Sequence, residues 1–471
     1  MKSAHLITLA IALILALSCA ASTPTPTPVP GKVVSAKRIV QIDPSSLIPE
    51  SFMVSPDSRR VAYAARVDSK WFVVLDGKKG KQYDGIGAGT LTFSPDSQRL
   101  AYVAGTGNKQ FVVVDGKKGK QYDAIGLGTL IFSPDSQRLA YAAQVSDKWL
   151  VVVDGGEEKQ YDGIGAGSFV FSPDSQRLAY VAGTGNKQFV VVDGKEGRQY
   201  DDIGLRTLIF SPDSQRLAYA AQVGDKWLVV VDGKEEKQCD GIGAGSFVFS
   251  PDSQRLAYLA VVSDKWLVVV DGEEGKQYDD IWAGTLTFSP DSQRVAYIGR
   301  EGDKEVVVVD GEEERQYDGE GAKALTFSPD NQRLAYTARV NSKEVVVVDG
   351  QEEKQYDDIG IGTLTFSPDS QRLAYLARVD NKWFAVVDRE EGKQYYVIGA
   401  DTLTFSPDSQ HLAYLAVVGD KWVVVVDREE GEQYDEIFAR WGGGIIFDSP
   451  DSLHYLALRG NSVYLVEEKV R

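Results

Sequence analysis

Histidine and cysteine are nearly missing from this chain, and so is any surplus of positive charge. Of 471 residues three are His and two are Cys. His5 lies in the apolar start, His411 replaces an Arg found in other repeats, and His454 sits in a degenerate last repeat. Little imidazole capacity is left for a general base or a metal. Cys239 stands where other repeats carry Tyr, such as Tyr161 and Tyr278, and with only Cys19 besides it no disulfide is implied. The formal charge of -17 would repel nucleic-acid phosphates and anionic headgroups, so neither is an expected partner. No G-x-S-x-G elbow, HExxH pair or phosphate-binding glycine loop occurs. The sequence therefore predicts no catalytic residue, no metal and no cofactor.

Long apolar runs are also scarce. The one at Leu6–Leu17 follows the basic Lys2 and is too short to span a bilayer comfortably, so residues 1–19 read as an export signal. Ala16-Leu17-Ser18-Cys19 resembles the lipobox of bacterial lipoproteins, which implies acylation of Cys19. Ordinary cleavage after Ala20 or Ala21, releasing a soluble protein, is the alternative. Residues 20–36 form a Thr/Pro-rich linker, whose prolines remove donors and favour extended backbone as in a semi-rigid stalk. The expected location is extracytoplasmic, periplasmic or at the cell surface, with a membrane touched only through the lipid.

What is abundant is repetition. Ser-Pro-Asp begins at Ser55, Ser94, Ser133, Ser172, Ser211, Ser250, Ser289, Ser328, Ser367, Ser406 and Ser449, with gaps of 39 residues until the last, which is 43. Such a period marks one supersecondary unit per repeat. In residues 90–128, Thr90–Phe93 alternates as a strand and Ser94-Pro95-Asp96-Ser97-Gln98 is a turn. Leu100–Ala104 is a second strand, and Gly105–Asn108 turns into Phe111–Val114, apolar on both faces. Asp115-Gly116 turns again into a more polar Gln121–Asp123, and Ile125–Gly128 leads onward.

Four short strands with a doubly covered member and a polar edge describe a propeller blade. Phe93-Ser94-Pro95-Asp96-Ser97-Gln98-Arg99-Leu100-Ala101-Tyr102 and its counterparts resemble the FSPDG-containing repeats of TolB-type, WD-repeat-like propellers. The resemblance runs from about Phe52 to Leu465, and implies the architecture and a tendency toward protein interaction. Ser97, Ser136, Ser175 and once Asn331 stand where that family usually has Gly, and TolB's separate N-terminal domain has no counterpart.

The expected fold is all-β: a propeller of about eleven four-stranded, 39-residue repeats over residues 37–471. One large ring is favoured over two tandem rings, since no insertion marks a domain boundary among the first ten copies. The last repeat stops after its third strand, Val463–Leu465, and Lys37–Ile42 has the strand character to complete it. Residues 102–179 and 180–257 differ at seven places, including Gly128 against Arg206 and Tyr161 against Cys239, so a two-blade unit was duplicated recently.

One position breaks the pattern. After the recurrent Lys (Lys70 through Lys421) stand Trp71, Trp149, Trp227, Trp266, Trp383 and Trp422, but Gln110, Gln188, Glu305 and Glu344 in other repeats. A position that accepts Glu is expected to lie outside the deep core, leaving six indoles partly exposed as a recognition surface for a protein or an envelope glycan. The Lys itself is expected to be a turn residue, and the Ser-Pro-Asp carboxylates to be turn caps rather than calcium ligands. The expected function is a noncatalytic extracytoplasmic scaffold binding a protein or cell-envelope component. The alternative is a glycan-active hydrolase or lyase using channel carboxylates, for which the channel-lining segments offer only the lone Asp401.

Overall fold

The computed structural model describes residues 34–204, 206–319, 324–440 and 443–470. The export signal, Cys19 and the linker up to residue 33 lie outside the described residues. The fold is all-β: eleven four- or five-stranded sheets in chain order, the blades of a propeller arranged in a single ring. Closure comes from strand Val34–Gln41, which pairs antiparallel with Ser462–Lys469 and so supplies the strand that the last repeat lacks. That strand starts within the expected linker, three residues ahead of Lys37.

The chain falls into two compact units. One holds residues 34–132, 143–146 and 393–470 among those described, the other residues 133–142 and 147–392. In the first unit, the second blade typifies the local design. Leu100–Thr106 and Lys109–Val114 are its long central pair, and Lys117–Lys118 borders the second of these. Both Gly85–Ile86 and Thr92–Phe93 lie along Leu100–Thr106. The Ile of the segment expected to be mere connection thus ends a short strand of the blade that follows it, and the residues after it form the connection. The outer strand also starts earlier than expected, and Tyr122 is held by a single bridge to Gln110. In the second unit that strand is longer in some blades, as in Glu273–Tyr278 and Glu312–Asp318, and two residues in others, as in Lys195–Glu196 and Lys234–Glu235.

Phe111, Val112 and Val113 are almost fully buried, as a strand apolar on both faces requires. Each core lies between consecutive sheets. In the second unit, for instance, Val181 and Val190 of one blade pack with Tyr219 and Leu228 of the next. Tyrosines close the seams edge to face, with ring centroids 6.3 Å apart for Tyr200 and Tyr219 and 6.5 Å for Tyr83 and Tyr102. Burial pushes the Tyr161 and Tyr356 phenols up to about 12. Cys239, in a Tyr position, is a free buried thiol raised to about 11 by the same desolvation.

The Ser-Pro-Asp turn stitches blade to blade. Ser172 Oγ donates to Asp174 at 2.6 Å and accepts the Arg177 N–H, while Asp174 accepts the Gln176 N–H. The Asp174 backbone N–H then donates to Ser214 Oγ of the following blade at 2.9 Å. Ser214 has a φ of +66°, the left-handed conformation for which the resembled family uses Gly. Here the hydroxyl takes up an amide that Gly would leave for water, and Asn331 does the same for Asp291 with its side-chain oxygen. Arg216 places its guanidinium 5.2 Å from the Phe249 ring centre and donates to the Gln254 carbonyl at 2.6 Å.

Candidate functional site

The opposite end of the blades carries the position that varies. There the recurrent Lys, expected to be a turn residue, is one half of a latch. In the first unit Lys109 donates to Asp123 Oδ1 at 2.6 Å, and Asp123 Oδ2 accepts the Ser146 N–H at 2.8 Å. Lys187, Asp201 and the Gly224 N–H repeat this in the second. The Lys hydrogen bond, followed by that of the backbone amide, holds the Asp84, Asp162 and Asp201 carboxyls below their usual range. Each latch joins the turn of one blade to that of the next, which fixes the strand bearing the variable residue.

All six tryptophans lie half-buried on that strand. In the first unit Trp71 faces Arg66 across the sheet, with the guanidinium 5.7 Å from its ring centre, and Trp422 packs on the core around Tyr434. In the second, Trp149 pairs with Tyr161, Trp227 packs beside Cys239, Trp266 beside Tyr278, and Trp383 lies under Arg378 at 5.5 Å. The indoles sit on separate blades. They form a series of single amphipathic platforms, each able to stack on an apolar or sugar face.

The expectation that Glu marks this position as lying outside the core is corrected. Glu305 and Glu344 are each only 1% exposed. Buried carboxylates persist where partners satisfy them, and both have such partners. Glu344 accepts the Ile359 N–H at 2.8 Å and pairs with Arg339 at 3.2 Å. Glu305 accepts the Trp282 indole N–H at 3.1 Å. Gln110 uses its carbonyl in the same way, taking the Ile125 N–H at 2.8 Å. The position is therefore a seam pocket beside an amide of the next blade, where an amide or carboxylate oxygen can be an acceptor and an indole fills space. Trp282 escaped the sequence reading. It stands where most repeats have Gly and is 39% exposed, and that break in the Gly pattern was its only signal.

The Ser-Pro-Asp carboxylates are occupied by hydroxyl and amide donors, and among the described residues no group of three or more His, Cys, Asp or Glu could hold a metal. His411 pairs with Asp427, and His454, 2% exposed, lies between Asp448 and the Asp57 carbonyl. Asp401 is exposed within the short turn Ala400–Thr402. Cys19 falls outside the described residues.

No protein-family model and no curated protein matches the chain, so the finer likeness to TolB-type repeats has no family match behind it. Among solved structures, one described as the crystal structure of the eukaryotic initiation factor is similar at 15% identity. It covers 66% of this chain and 88% of its own, with a TM-score of 0.38. The Dos1 propeller is similar at 13% identity over 63% of this chain and 90% of its own, with a TM-score of 0.32. Neither likeness bears on function.

Proposed function

We propose that this protein is a noncatalytic, extracytoplasmic propeller scaffold that binds a protein or cell-envelope component through the blade end bearing Trp71, Trp149, Trp227, Trp266, Trp383 and Trp422. The observation that carries this reading is six half-buried indoles at one repeat position whose other occupants are polar. A core filler has no need of a free edge, whereas a partly exposed indole on a rigid strand offers contact area at low entropic cost. Resemblance to TolB-type repeats supports a role in interaction, and the lipobox-like Cys19 with its Thr/Pro stalk supports tethering at the envelope.

The test compares the full chain with a variant in which all six positions become Gln, which Gln110 and Gln188 show the repeat to accommodate. Both are passed over purified envelope proteins and polysaccharides. Capture that the folded variant loses is the expected result. Equal capture by both, or capture by neither, would remove the indoles from the binding surface.

A further inference from the structure

The fourth blade (Gly163–Glu196) and the fifth (Asp202–Glu235), both in the second unit, line a cavity of about 670 Å³. That is within the size range of small-molecule sites. Its origin is a local loss of bulk. Gly183 stands directly across the sheet from Gln188, at the positions filled by Arg378 and Trp383 in another blade. Two large side chains are replaced by none and a shorter one.

The charges lining it divide into two kinds. Asp162 is latched by Lys148 and the Gly185 N–H, and Lys187 by Asp201, so the three lining charges Asp162, Lys187 and Asp201 are already partnered within the fold. Asp202 and Arg206 are not: among the described residues neither forms an ion pair, with the other or with anything else. The repeat neighbours of Asp202 show what is missing, because Asp280 pairs with Arg300 and Asp358 with Arg378, whereas Asp202 faces Gln222. Its carboxylate accepts its neighbour's amide, Ile203 N–H, at 2.9 Å.

Both charges are recent. The duplicated segments 102–179 and 180–257 differ at Lys118/Glu196, Lys120/Arg198, Ala124/Asp202, Gly128/Arg206, Ser146/Gly224, Gly156/Lys234 and Tyr161/Cys239. Two of these changes fall in the lining of this cavity, and they add opposite charges to it. Arg206 also takes a φ of +59°, the left-handed conformation that Gly128, Gly167, Gly245 and Gly362 adopt at its repeat position. An L side chain is less favoured there than Gly.

We propose that this cavity binds a small zwitterion of the amino-acid or short-peptide class, its ammonium on the Asp202 carboxylate and its carboxylate on the Arg206 guanidinium. A simple anion would leave Asp202 uncompensated, and a simple cation would leave Arg206 so. Guanidinium and carboxylate favour forked, charge-assisted recognition. The Gln188 oxygen accepts the Ile203 N–H at 3.3 Å, which leaves its amide hydrogens for the body of the ligand. This site lies on a seam without the indole and is independent of the reading above.

Calorimetric titration of the full chain with triglycine tests it, beside N-acetyltriglycine and triglycinamide, which each lack one charge. Triglycine is expected to bind once per chain and each capped form about tenfold more weakly or worse. Asp202→Ala and Arg206→Gly, which install the residues of the twin segment, should each weaken triglycine by about the same factor. Arg206→Gly should at the same time raise the melting temperature, which a merely structural arginine would not do. No heat at millimolar triglycine, binding indifferent to both substitutions, or capped forms that bind as well as triglycine would overturn the proposal.

Discussion

The two ends of each blade are built on opposite policies. At the Ser-Pro-Asp end nearly every repeat uses the same residues for the same bonds: Ser hydroxyl to Asp, backbone amide to the next blade's Ser, Arg over the next blade's Phe. At the Lys-Asp end the latch recurs in most repeats, with Tyr396 in place of its Asp after Lys382, but the residue beside it alternates among Trp, Gln and Glu, and two glycines of the adjoining turn give way to Trp282 and Arg206. A repeat array needs one reliable seam at every junction, because each blade buries its faces only against its neighbours. Once one end supplies that seam, the other can vary without opening the array, and recognition can evolve there.

The largest effect that would break this contrast is expected at a varied position that has become structural. Glu344→Ala strands Arg339 and the Ile359 amide beside an emptied pocket, and should cost about 3 kcal/mol. Glu344→Gln, which keeps an acceptor as Gln110 does, should cost well under half of that. Denaturant melts of the two variants decide whether the seam pocket needs an acceptor or a charge. If Glu344→Ala proves neutral, the varied end is as dispensable as a solvated rim.

At the constant end, Ser214→Ala should cost about 1–2 kcal/mol, since it loses the bond from Asp174 and leaves Ala in a left-handed conformation. Ser214→Gly should cost less, and Ser214→Asn close to nothing, because Asn331 performs the same task. Melting temperatures of the three rank hydroxyl, amide and bare backbone directly.

Acid sharpens the comparison in another way. The turn carboxyls Asp135, Asp174 and Asp213 are held below their usual range by the Ser hydroxyl first, and the latch carboxyls Asp84, Asp162 and Asp201 by the Lys. A depressed folded pKa contributes stability that is present above the unfolded value of 3.8 and lost as pH falls through the folded one. The melting temperature should therefore hold from pH 7 to about 5 and fall below about 4. High salt should erode only the part due to the exposed Lys-Asp pairs. In alkali the sign reverses. The phenols of Tyr161 and Tyr356, raised by burial to about 12, give stability that is complete below the unfolded value of 10 and lost as pH rises through 12. A scan from pH 9 to 12.5 read by tyrosinate absorbance should show ionisation and unfolding together.

The smallest change is at the seam where the pattern lapsed. Cys239→Tyr restores the residue of the twin repeat and should give Tyr258 an edge-to-face partner of the kind that Tyr200 gives Tyr219. It should stabilise by about 0.5–1 kcal/mol, read as a rise in melting temperature. No rise would mean that the seam has repacked around the thiol.

Legibility followed the range of the interactions. Ser94 through Tyr102 could be read correctly because turn chemistry and strand alternation are local, and the hydroxyl, carboxylate and amide that meet in the turn lie within five residues. The Trp positions were legible as a break in the pattern, yet their setting was misjudged. The inference from Glu assumed a solvated carboxylate, while the group that satisfies Glu344 is an amide fifteen residues ahead, in the next blade. Asp202 and Arg206 were equally visible as letters, but nothing in one repeat says that Gly183 and Gln188 leave space between them.

By itself the sequence determined the period, the strand pairs within each blade, the polar and apolar faces, and the likelihood of closure between Lys37–Ile42 and the truncated last repeat. These follow from side-chain alternation and turn residues acting over a few positions. Only the tertiary structure decided that a Ser in place of Gly is a bond between blades, that a Glu beside Lys is buried, and that one seam holds a cavity with two uncompensated charges. Each of those depends on the neighbouring blade, which brings together groups from about 15 to 40 residues apart in the chain.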